Sequence, residues 1–134
     1  MIKGPIMRAA QANARVNPTQ TYLYTFDYKG EFTRFGYGAD TSHYPFKGGV
    51  HHSDENIYLF PWPENVANLN AADTVMAQRM VDLWTSFAIN GVPASSNVPS
   101  WPSMNGKQMV IFSNNTITFV FIFTRCLWPI STYK

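Results

Sequence analysis

Asn70 to Pro93 is the stretch that most limits what this chain can fold into. Asn70 is a strong helix N-cap residue, and Asp73 stands three positions on, the spacing of a capping box. Ala72, Met76, Met80, Leu83, Trp84, Phe87 and Ala88 then recur at helical spacing. Asn90-Gly91 followed by Pro93 is a stop signal: glycine accepts the left-handed turn after a helix, and proline cannot continue one. Such a helix has an apolar face wide enough to cover a sheet, and it needs a layer to cover. Methionine, tryptophan and phenylalanine at that spacing are read as core packing rather than a ligand box.

The remaining elements supply that layer. Pro5 suits a first helical turn, and Ile6 to Ala14 reads as a helix ended by Asn17-Pro18. Thr21 to Tyr28 is dense in aromatics and β-formers and reads as a buried strand, closed by Lys29-Gly30. Residues 31 to 48 read as a long irregular loop, of a kind that often carries function. Ser53 stands as the expected cap of a short helix over Asp54 to Phe60, stopped by Pro61 and Pro63. Ser95 to Ser103 forms a Pro/Ser loop around Trp101-Pro102. Met109 to Phe112 and Ile117 to Phe123 read as strands around a turn at Ser113 to Thr116. There is no internal repeat and no low-complexity tract. The fold class is α/β.

Composition narrows the setting. The chain has 134 residues, 46% hydrophobic and 16% aromatic, but only 13% are charged. A free-standing domain usually carries about a quarter charged residues. The expectation is a segment of a larger fold whose apolar faces meet partners; a small oligomerising domain is the alternative. Net charge is +2 with no dense Lys/Arg run, so nucleic-acid binding has no electrostatic footprint. Cys126 is the sole cysteine, so no disulfide can form within the chain. Met1 to Pro5 has no apolar core of a signal peptide. The apolar run Phe119 to Phe123 is far too short to span a membrane.

Chemistry concentrates at Gly49-Val50-His51-His52-Ser53-Asp54-Glu55. A histidine beside glycine, at a helix mouth, can reach a cleft and carry protons near neutral pH. Spacing alone leaves a structural histidine as an open alternative. A metal reading would draw on His43, His51, His52, Asp54 and Glu55. No two histidines show helical i, i+4 pairing and no zinc spacing is present, so neither metal nor other cofactor is expected. The chain has no Gly-x-Ser-x-Gly, and Ser42 and Ser53 lack the flanking glycines of a nucleophile elbow. Asn114-Asn115-Thr116 is an N-glycosylation sequon in an expected turn, with Asn114 as the candidate acceptor.

The segment Gly49 to Glu55, with Tyr58-Leu59-Phe60, resembles the catalytic-histidine region of the type B carboxylesterase and cholinesterase family. On that pattern His51 is the variable position and His52 the catalytic base. Arg8-Ala9-Ala10-Gln11 is similar to the family helix before a late core strand, and Tyr22 to Tyr28 to that strand. Met80 to Ala88, with Asn90-Gly91-Val92-Pro93, looks like the helix after the histidine, and Trp101-Pro102 like the tryptophan that follows. The resemblance runs in family order over roughly residues 5 to 105, and looks like the insect esterases, including juvenile-hormone-esterase-like members.

This resemblance implies the C-terminal portion of an α/β-hydrolase fold: an incomplete sheet flanked by helices. Residues 1–134 would form part of a carboxylesterase domain, with an atypical tail at 106–134. Arg125-Cys126-Leu127-Trp128 only faintly matches the family's closing segment. The resemblance further implies a secreted, glycosylated parent that hydrolyses a small-molecule ester. Its nucleophile, acid and oxyanion hole would lie upstream, leaving this chain inactive alone. Asp40, Asp54 and Glu55 do not stand at the family's acid position. An alternative parent is a non-catalytic esterase-like adhesion protein of neuroligin or glutactin type, and a third reading is a truncated, non-functional product.

Overall fold

Helix α1 spans Lys3–Val16, with Pro5 in its first turn, where backbone N–H groups have no intrahelical partner. Asn17 N–H still reaches Asn13 O (2.8 Å), and Pro18 then prevents continuation. The structure, a computed structural model, describes residues 3–32, 49–60, 69–96, 98–105 and 121–124. The expected strand at 109–112, the turn at 113–116, the prolines at 61 and 63, and most of the 31–48 loop lie outside those residues.

Strand β1, Thr21–Tyr24, pairs antiparallel with β2, Phe121–Thr124, in a two-stranded sheet. Thr21 faces Thr124 and Tyr24 faces Phe121 in the ladder. All four β1 residues are buried, which explains a continuous aromatic run instead of polar alternation. Their side chains nevertheless divide by the period of two. Leu23 packs with Ala10 and Ala14 of α1 and with Met104. Tyr22 and Tyr24 join the opposite cluster with Phe26, Ile57, Tyr58, Met76, Met80, Leu83 and Trp101.

Among the described residues, the ladder is shorter than the aromatic run. Residues 25–30 continue without strand pairing among the described residues, although Phe26 is fully buried. Thr21 anchors the entry: its Oγ1 donates to Asn17 O (2.8 Å) and its carbonyl accepts from Met104 N–H (2.8 Å).

Two further helices complete the larger cluster: α2, Asn56–Leu59, and α3, Ala71–Asn90. α3 starts and stops where its local signals demand. Asn70 Oδ1 accepts from Asp73 N–H (2.8 Å), and Gly91 takes the left-handed cap at φ 73° with its N–H on Phe87 O. The return loop is tied back by Ala94 N–H to Ser86 Oγ (2.7 Å) and Ser95 Oγ to Asp82 Oδ2 (3.1 Å).

The apolar stripe is narrower than expected. Met76, Met80 and Leu83 are buried and Trp84 and Phe87 pack against the cluster, but Ala72 and Ala88 are exposed. Asp73 takes a buried place on that face instead. Edge-on ring contacts join the layers: Tyr22 with Phe87 (5.9 Å between centroids) and Tyr24 with Trp101 (5.3 Å). Trp84 Nε1 donates to Tyr24 Oη (3.0 Å). The described residues therefore combine three helices with a two-stranded antiparallel sheet, with α1 packed on the strands and α2 and α3 joining β1 through the larger side-chain cluster.

Candidate functional site

Short three-residue turns shape the histidine loop. Asp54 N–H bonds His51 O, Asn56 N–H bonds Ser53 O and Ile57 N–H bonds Asp54 O, each at 3.2 Å, and Tyr58 N–H follows to Glu55 O at 3.0 Å. These bonds lead directly into α2. The expected serine cap is not what starts that helix. Ser53 sits in the left-handed region at φ 72° with its residue buried, and Glu55 holds the N-cap position without a side-chain cap bond. Asp54 makes the local polar tie, accepting from His51 N–H at 2.7 Å.

The adjacent histidines have different surroundings. His52 is exposed, while Ser53, Asp54 and Glu55 after it are all buried. The His51 side chain is 28% exposed, with Nδ1 3.8 Å from Asp54 Oδ2, an ion pair whenever that imidazole is protonated. The fold therefore ties the loop through the buried Asp54 carboxylate and leaves His52 exposed. An exposed imidazole on a fixed turn can exchange a proton with a group brought to it.

Behind the loop lies a polar and aromatic support. Tyr58 of α2 packs on Phe26 (5.5 Å) and edge-on to Tyr28 (5.7 Å). Tyr28 Oη donates to Asp73 Oδ1 (2.8 Å), and Glu31 N–H donates to Asp73 Oδ2 (3.1 Å). Asn70 Nδ2 reaches Glu31 Oε2 (3.0 Å). Gly30 is required here: a Cβ would meet the Tyr58 hydroxyl and lie 2.6 Å from Asp73 Oδ1.

This environment favours neutral phenols. Burial first, then the hydrogen bond to Asp73 and its negative charge, push the Tyr28 hydroxyl up to about 12, with Arg79 opposing. Burial and the charge of Asp73 also raise Tyr58, with Tyr28 and Asp54 adding to the effect. Tyr24 is raised chiefly by burial, against the lowering effect of the Trp84 hydrogen bond.

A cleft lies elsewhere in the larger cluster, lined by Tyr24, Met76, Met80, Leu83, Val98 and Trp101 with Arg79. No histidine lines it. No group of three or more His, Cys, Asp or Glu among the described residues could hold a metal ion. His43, Asp40, Ser42 and Asn114 lie outside the described residues. The role of Asp73 beyond its capping-box position was not legible in sequence. The available signal was a carboxylate three residues before Met76, on the edge of an apolar face.

Comparisons with known proteins place this sequence in a family. The carboxylesterase family pattern matches residues 1–119. Glutactin of Drosophila melanogaster is 36% identical over 118 residues, 86% of this chain and 11% of that protein. Juvenile hormone esterase of Tribolium castaneum is 38% identical over 90 residues, 65% of this chain and 15% of the relative. Esterase FE4 of Myzus persicae is 28% identical over 111 residues, 83% of this chain and 20% of the relative. The chain thus spans at most a fifth of the length of these three relatives. No solved structure matches it. Among the described residues, no helix is long and apolar enough to cross a membrane. With a match over most of its length and insect esterases among its relatives, the chain belongs to the carboxylesterase family.

Proposed function

We propose that this chain is the C-terminal segment of a serine carboxylic-ester hydrolase and that His52 is its general base. The observation that carries the reading is the contrast at the loop: His52 is exposed while the three residues after it are buried. In a hydrolase, a serine hydroxyl gives its proton to His52 as the oxygen attacks the ester carbonyl. His52 then returns that proton to the leaving alcohol. Water repeats the sequence on the acyl-enzyme, again with His52 as base. The serine, the carboxylate that orients the ring and the oxyanion donors would come from outside these residues. Asp54 is a poor orienting acid because its Oδ2 accepts from the backbone of His51.

On this reading the substrate is a small-molecule carboxylic ester, no metal or cofactor takes part, and the parent is secreted and glycosylated, with Asn114 a candidate acceptor. The chain alone is expected to give no turnover of a chromogenic short-chain ester. Turnover by the wild-type chain would overturn the expectation that it is inactive alone, and persistence of that turnover in His52→Ala would overturn the role of His52. The 36% identity to glutactin over 86% of the chain favours keeping a second reading: a segment of a non-catalytic esterase-like adhesion protein. The residue at the nucleophile elbow of the full-length protein separates the two, a serine supporting the hydrolase.

A further inference from the structure

We propose that Asp73 is a positioning residue for the histidine loop, acting through Tyr28 and Tyr58 rather than touching any reacting group. Asp73 is fully buried at the start of α3, in contact with the segment that leaves β1. Its oxygens divide their work: Oδ1 accepts the Tyr28 hydroxyl and Oδ2 accepts Glu31 N–H. Tyr28 in turn meets the Tyr58 ring edge-on at 5.7 Å. Gly30 leaves room for both the Tyr58 hydroxyl and Asp73 Oδ1 where a Cβ would collide with them. Tyr58 belongs to α2, whose first backbone bonds are those of the turn that carries His52.

One buried carboxylate thus fixes the strand exit, the strand exit fixes Tyr58, and Tyr58 fixes the base of the histidine turn. A helix cap alone would not require this arrangement. Asn70 already caps α3 through its own side chain, so the Asp73 carboxylate is left to make tertiary bonds. Its α1-side counterpart is a separate cluster of Ala10, Ala14, Leu23 and Met104, which provides an internal control.

The catalytic meaning of this inference rests on His52 being the general base. Its test reads loop geometry instead of turnover, so failure of that reading and failure of this one are distinguishable. Amide hydrogen exchange and the His52 Cε1–H resonance are followed in the full 134-residue chain, in Asp73→Asn and in Tyr28→Phe. Losing a hydrogen bond to a charged acceptor predicts faster exchange, by about 10-fold or more, at Asn56, Ile57 and Tyr58 in Asp73→Asn. Tyr28→Phe, which keeps the ring, predicts roughly 3- to 10-fold at the same amides. In both variants the His52 resonance moves while α1 amides stay within about twofold of wild type. Uniform acceleration of α1 and the turn, or an unmoved His52 resonance in Tyr28→Phe, overturns the proposal. Tyr28→Phe decides the matter if Asp73→Asn melts the chain.

Discussion

Ser53 holds a left-handed backbone at φ 72°, directly after the proposed base. That conformation costs a non-glycine residue roughly 1–2 kcal/mol, and a β-branched side chain tolerates it less well. Ser53→Val is therefore expected to lower stability by about 2 kcal/mol, while Ser53→Gly stays within about 0.5 kcal/mol of wild type, measured by urea unfolding. Gly30 poses the opposite constraint, one of space. Gly30→Ala drives a methyl into the Tyr58 hydroxyl and to 2.6 Å from Asp73 Oδ1. Overpacking of this kind is expected to cost about 1–3 kcal/mol in the same experiment. At this scale the sequence pattern misassigned Ser53 as the cap. Serine is a good cap in general; here the turn needs a left-handed residue, and the helix starts two positions later.

Elements with purely local instructions were the most legible. α3 is capped by Asn70 and Gly91 because one side chain and one glycine suffice to set its two ends. Asn70→Ala removes the acceptor of Asp73 N–H and is expected to cost about 1 kcal/mol by chemical denaturation. Double substitution with Asp73→Asn should be non-additive, since both residues share Glu31 as a neighbour. Elements that depend on partners were less legible. The aromatic run 21–28 announced a buried strand, and among the described residues the ladder covers Thr21–Tyr24, with Tyr24 opposite Phe121. Ladder length is decided by the partner strand, which β-propensity does not encode. Asp73 shows the same limit: its spacing fits a capping box, yet its carboxylate is taken by Tyr28 and Glu31 across 45 and 42 positions of sequence.

The whole molecule couples its aromatic core to pH. Tyr28, Tyr58 and Tyr24 hold their protons more tightly in the folded state than an ordinary tyrosine near pH 10. Their contribution to stability is complete below that value and is lost as pH rises through the raised range. Urea midpoints are therefore expected to be flat with respect to these groups below pH 9 and to fall from about pH 10 upward. Tyr28→Phe should flatten part of that decline. At the same scale, the charge-poor composition fits the proposed reading, in which the chain's surfaces meet the rest of a hydrolase domain. The central claim is that His52, and not its neighbour His51, is the general base of such a domain. It is tested by grafting residues 49–60 into the corresponding segment of Tribolium castaneum juvenile hormone esterase, which retains its own remaining residues, and assaying a chromogenic ester. His52→Ala in the graft should lower kcat/KM by about 10⁴-fold or more, with His51→Ala within about tenfold. A larger loss from His51→Ala, or full activity in His52→Ala, would contradict the account.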